Sequence, residues 1–395
     1  MSGGREGPEG QAGPDLAAYA AAHGLRRVAT HAGVVAVCGD PGSFCSGQGV
    51  LVTDVPPADG VPRTLLHSDP PQHTRYRRLV QPAFAPPVVR ALEPAIRGRV
   101  RALLDGVAPG EPFDVVTRLA LPLPLAVIAE LLGVGGEAAD LERFAAWSDA
   151  AVPGATELPE EERRALMGEC FGYLVGIAKR RRNEPAGESD VVSRLAAATL
   201  DGEQLSDAEL AMFLVQLLVA GNETTRHAIS GGLLAFAERP EQWRLLRADR
   251  TRVPGAVEEV LRWTAPVRHF LRTASGTGAM ADGCPVAVGE RVLLDYRAAG
   301  FDAGAVSSSV SSSVSSSGTA GPDLTAFDVT RTDNPHLAFG HGPHFCLGAP
   351  LARLELRLVL EEALDRWVRI DVAGAPVWNG SPVVFGLREV VLTVS

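Results

Sequence analysis

A cysteine in a glycine-rich loop is the residue of this chain best suited to chemistry. Cys346 follows Gly340 and Gly342, precedes Gly348, and stands just before a stretch in which apolar residues recur at helical spacing from about Ala349. The start of a helix presents free backbone N–H groups and the positive end of the helix dipole, and both favour a thiolate over a thiol. A thiolate is a nucleophile and a metal ligand. Cys346 is therefore a candidate for either role, and a small buried packing residue is the alternative.

A second candidate site lies in the middle of the longest predicted helix. Ser206 and Glu209 form a predicted capping box at its start, and helical periodicity then continues for roughly 30 residues. The centre of this helix contains residues that are unfavourable in the interior of an apolar helix. Gly221 costs about 1 kcal/mol relative to alanine, and a charged Glu223 beside Thr224 in an apolar segment must be paired or hydrated. Such departures mark candidate functional positions, and a packing glycine with a satisfied polar pair is the alternative.

Two charged pairs at helical spacing are weaker signals. His73 and Arg77 are four residues apart and share a face of a predicted helix, for which a solvated basic face is the alternative. Glu259 and Arg262 are three residues apart and can form an ion pair, which at an exposed site contributes under about 1 kcal/mol. Neither pair by itself predicts a function.

Composition narrows the class of protein. A chain of 395 residues with 46% hydrophobic content can bury a large core, and a net charge of -10 with a pI near 5.5 argues against nucleic-acid binding, which needs a basic face. The five cysteines form no CxxC pair and no closely spaced framework, so zinc and structural disulfides are poorly supported and a reducing compartment fits. The N-terminus lacks the order of a signal peptide, and the longest apolar run, 212–220, has about half the ~20 residues of a spanning helix. We expect a cytoplasmic protein with no nucleic-acid or membrane partner.

The elements that must position these residues are predicted to be mostly helices. Helical periodicity marks the segments 31–38, 89–104, 121–132, 140–151, 159–182, 190–200, 206–238, 252–263 and 349–367. Alternating or β-branched residues predict a small sheet from 267–273, 285–288 and 291–296, with short strands at the C-terminus. The Ser-Val tract 307–318 has low complexity and is interpreted as a flexible connector.

The motifs together resemble those of one family. The pattern aromatic-x-x-Gly-x-x-x-Cys-x-Gly is filled from Phe339 to Gly348, and the other motifs follow in the same order across 25–395. The chain resembles the soluble bacterial type of the cytochrome P450 family, the haem-thiolate monooxygenases. This resemblance implies a mainly α fold with a smaller β-rich part, a long central helix over a haem, and an N-terminus shorter than usual. It also implies one domain, 25–395, preceded by a partly disordered segment, 1–24.

The resemblance assigns roles to individual residues. It implies that Cys346 is the axial ligand of the haem iron, that Glu223 and Thr224 are the catalytic acid and alcohol, and that Glu259 and Arg262 form a structural pair. The implied cofactor-binding residues are His73, Arg77, Ala220, Gly221, Arg272, Phe339, Gly340, His344, Cys346 and Gly348. The implied substrate pocket includes Val267, Arg268 and Val383, with further lining from the loop 50–65 and the helix near Ala220. Arg268 and His269 are polar for such a lining, so either they point away into a salt bridge or they recognise a polar substrate group.

The implied function is oxygen activation at a cysteine-ligated haem b, which hydroxylates or epoxidises a small organic substrate of secondary metabolism. Oxidative coupling, desaturation and nitration are alternatives, as is a non-catalytic haem-binding protein. A cysteine hydrolase using Cys346 and His344 lacks an evident third group.

Electrons are expected from NAD(P)H through a separate ferredoxin and ferredoxin reductase, because the sequence shows no dinucleotide fingerprint. Arg75, Arg78, Arg353 and Arg357 are the predicted docking patch for the ferredoxin. A monomer is expected.

Two departures from the family pattern stand close to the Ser-Val tract. The usual Asn-Arg-Asp is replaced by Gly300, Phe301 and Asp302, and the arginine expected to complete a triad with Glu259 and Arg262 falls at Ala326. The loop before Cys346 is therefore predicted to lack one of the side-chain contacts that hold it against the rest of the protein.

Overall fold

The computed structural model describes residues 13–54, 62–132, 138–152, 154, 157–183, 191–200, 202–305 and 323–395. The predicted Ser-rich connector 307–318 lies outside the described residues, as do residues 1–12 of the predicted N-terminal segment. Residues 16–22 of that segment form a helix, whose Leu16 and Ala20 pack against two strands of the main sheet.

The architecture is mainly helical, as predicted. The helices are α1 (Leu16–Ala22), α2 (His31–Gly39), α3 (Gln72–Val80), α4 (Pro86–Ala91), α5 (Glu93–Asp105), α6 (Pro122–Leu131), α7 (Ala138–Ala151), α8 (Glu160–Asn183), α9 (Val191–Ala197), α10 (Asp207–Glu238), α11 (Pro240–Ala248), α12 (Val253–Thr264), α13 (Tyr296–Gly300) and α14 (Ala349–Arg366). Among the described residues, no helix has both the length and the apolar content that crossing a bilayer requires.

Helix α10 is the central element and is one continuous helix. The predicted capping box forms at its start, where Ser206 Oγ accepts from Glu209 N at 3.2 Å and Glu209 Oε2 accepts from Ser206 N at 2.7 Å. The helix packs against α6, α7 and α8 on one side and against α12 and α14 on another. Groups on α10 are therefore held in the middle of the molecule.

The smaller β part consists of one four-stranded sheet and several short ladders. The sheet order is β1 (Arg26–Val28), β9 (Arg291–Asp295), β6 (His269–Ala274) and β2 (Phe44–Cys45). The short strands are β3 (Phe113–Asp114), β4 (Thr199–Leu200), β5 (Glu203–Gln204), β7 (Met280–Ala281), β8 (Cys284–Pro285), β10 (Ile370–Val372), β11 (Val377–Trp378), β12 (Leu387–Glu389) and β13 (Val391–Val394). Strand β6 alternates, so that Leu271 packs on α1 while Phe270 packs on the opposite side against Val383 and Val384.

Glu259 on α12 is a fully buried hub that ties the loop before Cys346 to the helical body. Arg262 makes two contacts of 2.8 Å with its carboxylate, and Arg331 Nε lies 3.2 Å from Oε2. The backbone N–H of Asp328 and the side chain of Asn334 donate to the same carboxylate at 2.8 and 2.9 Å. Both carboxylate oxygens are thus fully engaged.

The expectation that Ala326 occupies the third position of the triad is wrong. Arg331 takes that position and also donates to the carbonyl oxygen of Ala326, which Arg262 contacts as well. Arg331 is five residues beyond Ala326 in the sequence, but its side chain extends back to the backbone at Ala326. The position of an arginine in the sequence therefore does not show which backbone segment its side chain contacts. Phe301, at the other departure, packs its ring against the guanidinium of Arg262, with a centroid distance of 4.5 Å.

Candidate functional site

The loop before α14 holds Cys346 through backbone geometry that only glycine allows. Gly340 and Gly342 both have φ of +68°, in the left-handed region. A Cβ on Gly342 would lie 2.3 Å from the carbonyl oxygen of Cys38 in α2, so the loop and α2 are in direct contact there. The N–H of Cys346 donates to Phe339 O at 2.9 Å and closes the loop.

The environment of the Cys346 sulfur differs from the sequence-based expectation. The backbone N–H groups of Gly348 and Ala349 and the charges of Arg77 and Arg353 lower the pKa of the thiol as expected, but burial raises it by more. The net direction is upward because the loss of hydration outweighs the local donors. A thiolate at this position therefore needs a further cation at the sulfur, such as a metal ion.

Four cationic or titratable side chains gather beside the cysteine loop. The rings of His73 and His344 are 4.2 Å apart, and Arg77 Nη1 donates to Phe345 O at 2.7 Å. His73 and Arg272 are buried, with 2% and 4% of their surfaces exposed. Burial and the charges of Arg272, His73 and Arg77 lower the pKa of His344 to about 2. The cluster has an excess of positive charge.

This cluster fits a ligand with anionic groups. Among the described residues, no carboxylate forms an ion pair with His73, Arg77, Arg272 or His344. His73 Nε2 is enclosed and has no hydrogen-bond partner in the part of the chain that the structure describes. A buried donor without an acceptor is costly, and an anionic partner removes that cost. A haem carries an iron for the sulfur and two propionates for the cations, so the residues present fit it.

One face of α10 is left partly uncovered near the middle of the helix. Ala220 is exposed and Leu217, Gly221 and Thr224 are half-buried, whereas most of the residues that follow are buried. These four positions share one face of the helix at spacings of three and four residues. Thr224 Oγ1 donates to Ala220 O at 2.8 Å, so the hydroxyl stays on that face. Thr224 thus lies on the part of α10 that the other described elements leave uncovered.

Gly221 also has a packing role. A Cβ there would lie 2.5 Å from Ile128 Cδ1 of α6, so glycine allows α6 and α10 to approach closely. The packing alternative for this glycine therefore has direct support, alongside its position on the uncovered face of α10.

Glu223 lies within a network of charged side chains. It is fully buried, with Arg226 Nη2 at 2.6 Å and His227 Nε2 at 3.4 Å from its Oε2, while Oε1 has no hydrogen-bond partner among the described residues. Arg226 Nη1 also contacts Asp149 Oδ1 of α7 at 3.1 Å. Sequence reasoning missed Asp149, Arg226 and His227. The i+3 spacing of Arg226 from Glu223 could have indicated that pair, but no local pattern indicates a contact across 77 residues with Asp149.

Comparison with known proteins identifies the family. A family model described as Cytochrome P450 matches residues 325–368. A protein of Mycobacterium tuberculosis named as cytochrome P450 126 is 38% identical over 388 residues, covering 93% of this chain and 87% of that protein. The chain belongs to the cytochrome P450 family.

Further relatives support the same assignment. A steroid C26-monooxygenase of Mycolicibacterium smegmatis is 35% identical over 79% of this P450 and 68% of that protein. The solved structure of Mycobacterium marinum CYP268A2 in complex with pseudoionone has a TM-score of 0.81 and 34% identity, covering 93% of this chain and 86% of that chain. This P450 therefore has the P450 fold and is an oxidoreductase of a monooxygenase family whose cofactor is haem iron.

An apolar wall of this P450 brings together segments that were predicted to line the pocket. Buried valines pack with partly buried apolar side chains from the loop after β2, from α10 and from β6. The members of this cluster are Leu51, Val152, Val219, Phe270, Val383 and Val384. Val152, which follows α7, was missed. Val267 forms an isolated bridge with Val384, which ties the predicted pocket strand to the C-terminal turn.

The two polar residues of the predicted lining behave differently from each other. His269 points away from the apolar wall, with Nδ1 3.0 Å from Pro382 O and its ring against Tyr19. Arg268 is buried and lies over the ring of Phe385 at 4.8 Å. The favoured salt bridge is not found, because no described carboxylate forms an ion pair with Arg268 and its Nε and Nη1 have no acceptor.

Three of the four predicted docking arginines are engaged by carboxylates. Arg353 forms a two-pronged contact with Glu258 at 2.7 Å, and Arg357 lies 2.6 Å from Glu93 and 3.0 Å from Glu361. Arg75 contacts carboxylates that include Glu209 on α10, and Arg78 is exposed. The positive charge that these arginines present at the surface is therefore smaller than the sequence suggests.

Proposed function

We propose that this P450 hydroxylates or epoxidises a small apolar organic substrate of secondary metabolism, with Cys346 as the ligand of a haem b iron. The observation that carries the proposal is the cluster of His73, Arg77, Arg272 and His344, which has positive charge and a free donor directly beside the cysteine loop. Without an anionic partner this cluster is destabilising, so its presence indicates a site built for a bound dianion.

The residues around the cofactor have separable tasks. His73, Arg77, Arg272 and His344 would hold the two propionates by charge-assisted hydrogen bonds. Gly340, Gly348 and Phe339 would shape the loop around the sulfur, and Ala220 and Gly221, on the uncovered face of α10, would also contact the cofactor. The haem, when bound, supplies the oxidising chemistry, and a cysteine ligand tunes it toward oxygen activation.

On the α10 side, the chain's own groups handle protons. Thr224 presents a hydroxyl on the uncovered face of α10, and the neighbouring Glu223 is buried but connected to charged groups that reach toward solvent. An acid next to an alcohol can pass a proton to a molecule bound at this face, which is general acid catalysis. Glu223 and Thr224 are the proposed catalytic residues.

The apolar wall supports an apolar substrate. Its members from Leu51 to Val384 present aliphatic and aromatic surface, which contributes about 25 cal/mol for each Å² of apolar area that a substrate buries. Val267, Arg268 and Val383 belong to this region of the proposed pocket. Related solved structures are complexes with pseudoionone, erythromycin B and testosterone, each of which is bound to that other protein.

The proposed electron source is NAD(P)H through a separate ferredoxin and its reductase, with the chain acting as a cytoplasmic monomer. The surface near Arg78 and Arg353, on the side of the cysteine loop, is the proposed docking region. Because Arg353 and Arg357 are already paired with carboxylates, an acidic ferredoxin has to compete with Glu258, Glu93 and Glu361 there.

The absorption spectrum of the reduced, carbon monoxide-treated protein tests the proposal. We expect a red-shifted Soret band of the thiolate type in the wild-type protein and in a Cys45→Ser variant, which removes a partly buried cysteine elsewhere. The band should be lost in Cys346→Ser. A wild-type spectrum without the red shift, or a red shift that persists in Cys346→Ser, would refute the assignment.

A further inference from the structure

Gln216 is a half-buried polar residue at the edge of the uncovered face of α10. It lies four residues before Ala220 and eight before Thr224, so the three positions follow one another along the helix. Leu217 and Gly221, which complete this face, are apolar. Because Thr224 Oγ1 donates within the helix to Ala220 O, the amide of Gln216 is a second and separate polar group beside this face.

The orientation of the Gln216 amide is set by a contact with the loop before α3. Leu65 N lies 3.1 Å from Gln216 Oε1. A backbone N–H can only donate, so the side-chain atom that it contacts must be the amide oxygen. No described residue accepts a hydrogen bond from the other end of this amide, Nε2. One end of the amide is thus fixed by the fold, and the other end has hydrogen-bonding capacity for a further partner.

Gln216 also adjoins the apolar wall. Val219, a member of that wall, is three residues after Gln216 and is therefore its neighbour on the surface of α10. The wall includes Leu51 as well, and Leu51 and Leu65 stand near the two ends of the loop 50–65, which was predicted to line the pocket. Gln216 therefore lies where the apolar wall, this loop and the uncovered face of α10 meet.

A single amide donor beside apolar surface discriminates between ligands. Water can accept a hydrogen bond from Gln216 Nε2 as long as no ligand covers it. An apolar ligand that covers this region displaces the water, and the donor then loses a hydrogen bond unless the ligand supplies an acceptor. A site of this kind disfavours the analogue that lacks the acceptor. The amide carries no charge, so it suits a neutral carbonyl oxygen better than a carboxylate, whose burial requires a cation.

We propose that Gln216 is a specificity-determining residue that donates a hydrogen bond from Nε2 to a neutral carbonyl oxygen at one end of an elongated, otherwise apolar substrate. This inference rests on the proposed function, because it takes Thr224 to mark the place where the substrate is oxidised. Eight residues of helix separate Gln216 from Thr224, which corresponds to about 12 Å along the axis of α10. The carbon that is oxidised is therefore expected at a similar distance from the carbonyl group.

A purely structural role of Gln216 predicts different results. If its only task were to hold Leu65, Gln216→Glu would behave like the wild type, because a carboxylate oxygen accepts the same hydrogen bond. If Nε2 binds the substrate, this variant replaces the donor by a second acceptor, which repels a carbonyl oxygen. Gln242→Glu is the matched control, since Gln242 on α11 is also half-buried and its Oε1 accepts from Val329 N at 3.0 Å.

Equilibrium dialysis of the holoenzyme measures the hydrogen bond without any turnover. The probes are 2-undecanone and 2-methyl-1-undecene, in which a CH2 group replaces the carbonyl oxygen, at about pH 8, where the introduced carboxyl is ionised. We expect the wild type and Gln242→Glu to bind the ketone about 10-fold more tightly than the alkene, and Gln216→Glu and Gln216→Met to lose this preference. Equal binding of the two probes by the wild type, or a preference that persists in Gln216→Glu, overturns the proposal. A loss of affinity for both probes alike identifies Gln216 as a structural contact only and also overturns it.

Product analysis with NADPH, a ferredoxin and its reductase tests the distance. The wild type and Gln242→Glu should oxidise 2-undecanone at the carbons farthest from the carbonyl group, because about 12 Å separates Gln216 from Thr224 along the helix. Gln216→Met should oxidise several positions along the chain. An unchanged product distribution in Gln216→Met overturns the anchoring role. Absence of the thiolate Soret band from the wild type refutes the proposed function instead, and leaves the ketone preference in dialysis as a separate result.

Discussion

Two buried glutamate–arginine pairs with the same sequence spacing differ in how many of their polar atoms have hydrogen-bond partners. Glu259 and Arg262 on α12, and Glu223 and Arg226 on α10, are each three residues apart, and both carboxylates are 0% exposed. Both oxygens of Glu259 are occupied by side chains and backbone N–H groups. At the second pair, Glu223 Oε1, Arg226 Nε and His227 Nδ1 have no hydrogen-bond partner among the described residues.

This difference distinguishes a network that stabilises the fold, at Glu259, from a network in which a proton can change its position, at Glu223. A buried ionic network in which every group is satisfied is rigid, because any rearrangement leaves a charge unpaired. An unsatisfied oxygen beside a second carboxyl offers an alternative position for a proton at little cost. The first network holds the loop that carries Cys346, and the second lies behind the hydroxyl of Thr224.

The largest expected effect comes from breaking the satisfied network. Glu259→Gln leaves Arg262 and Arg331 as buried cations without a counter-charge, so we expect the free energy of unfolding to fall by about 3–5 kcal/mol. Urea unfolding measures this. The neighbouring Glu258→Gln is the matched control and should cost about 1 kcal/mol or less, because Glu258 is 30% exposed. Equal losses in the two variants would contradict the distinction between the networks.

Breaking the second network should impair activity more than stability. Glu223→Gln removes the proposed proton donor next to Thr224, so we expect ferredoxin-supported oxygen consumption to slow by about 100-fold or more. Arg226 keeps its contact with Asp149 in this variant, so its unfolding free energy should fall by less than that of Glu259→Gln. Glu223→Asp, which keeps the carboxyl, should retain more of the rate. The comparison fails if Glu223→Gln is as unstable as Glu259→Gln and turns over normally.

A third buried carboxyl, Glu355 on α14, has no arginine partner in the described part of the chain and extends the comparison. Burial raises its pKa to about 8 from an ordinary value of 4.5, and its Oε2 lacks a described partner. Because the folded state binds this proton more tightly, its contribution to stability is full below pH 4.5 and is lost as pH rises toward 8.

Glu355→Gln should therefore gain stability relative to the wild type as pH increases, by on the order of 3 kcal/mol between pH 5 and pH 8, because one unit of pKa shift corresponds to about 1.4 kcal/mol. Urea unfolding at several pH values in that range measures the difference. A wild-type to variant difference that stays constant across the range would show that Glu355 does not hold a proton in the folded state.

The smallest expected effect tests the position of the third arginine. Since Arg331 already completes the Glu259 network, Ala326→Arg should change the free energy of unfolding by no more than about 0.5 kcal/mol. Thermal or urea unfolding is sufficient. A clear gain in stability would indicate that the triad has room for the arginine expected at Ala326.

The sequence was informative where function depends on local geometry. The spacing around Cys346, the capping box at Ser206 and the length of α10 all follow from neighbouring residues, and each was predicted closely. The helical class and the small sheet also follow from periodicity. The same local reasoning placed Thr224 in the middle of a long helix, and the structure leaves it half-buried on the uncovered face of that helix.

Contacts between distant segments were not predictable. Arg331 was overlooked because its partner, Glu259, is 72 residues away, and Asp149 because nothing near it in sequence indicates Arg226. The direction of the Cys346 pKa also depends on burial, which local sequence does not reveal. These are properties of packing, and only the folded chain sets them.

The order of strands in the main sheet has a consequence for the synthesis of the protein. Strand β1 pairs in parallel with β9, and β2 pairs with β6, so both N-terminal strands lack a partner until about three quarters of the chain has left the ribosome. His73 can contact His344 only at a still later stage of synthesis, once the chain has been made as far as residue 344. Long-range pairing of this kind is slow and leaves early segments open to misassembly. On the proposed assignment, a nascent chain completes its cofactor site near the end of translation, and shortened products that stop before the cysteine loop lack the proposed iron ligand, Cys346.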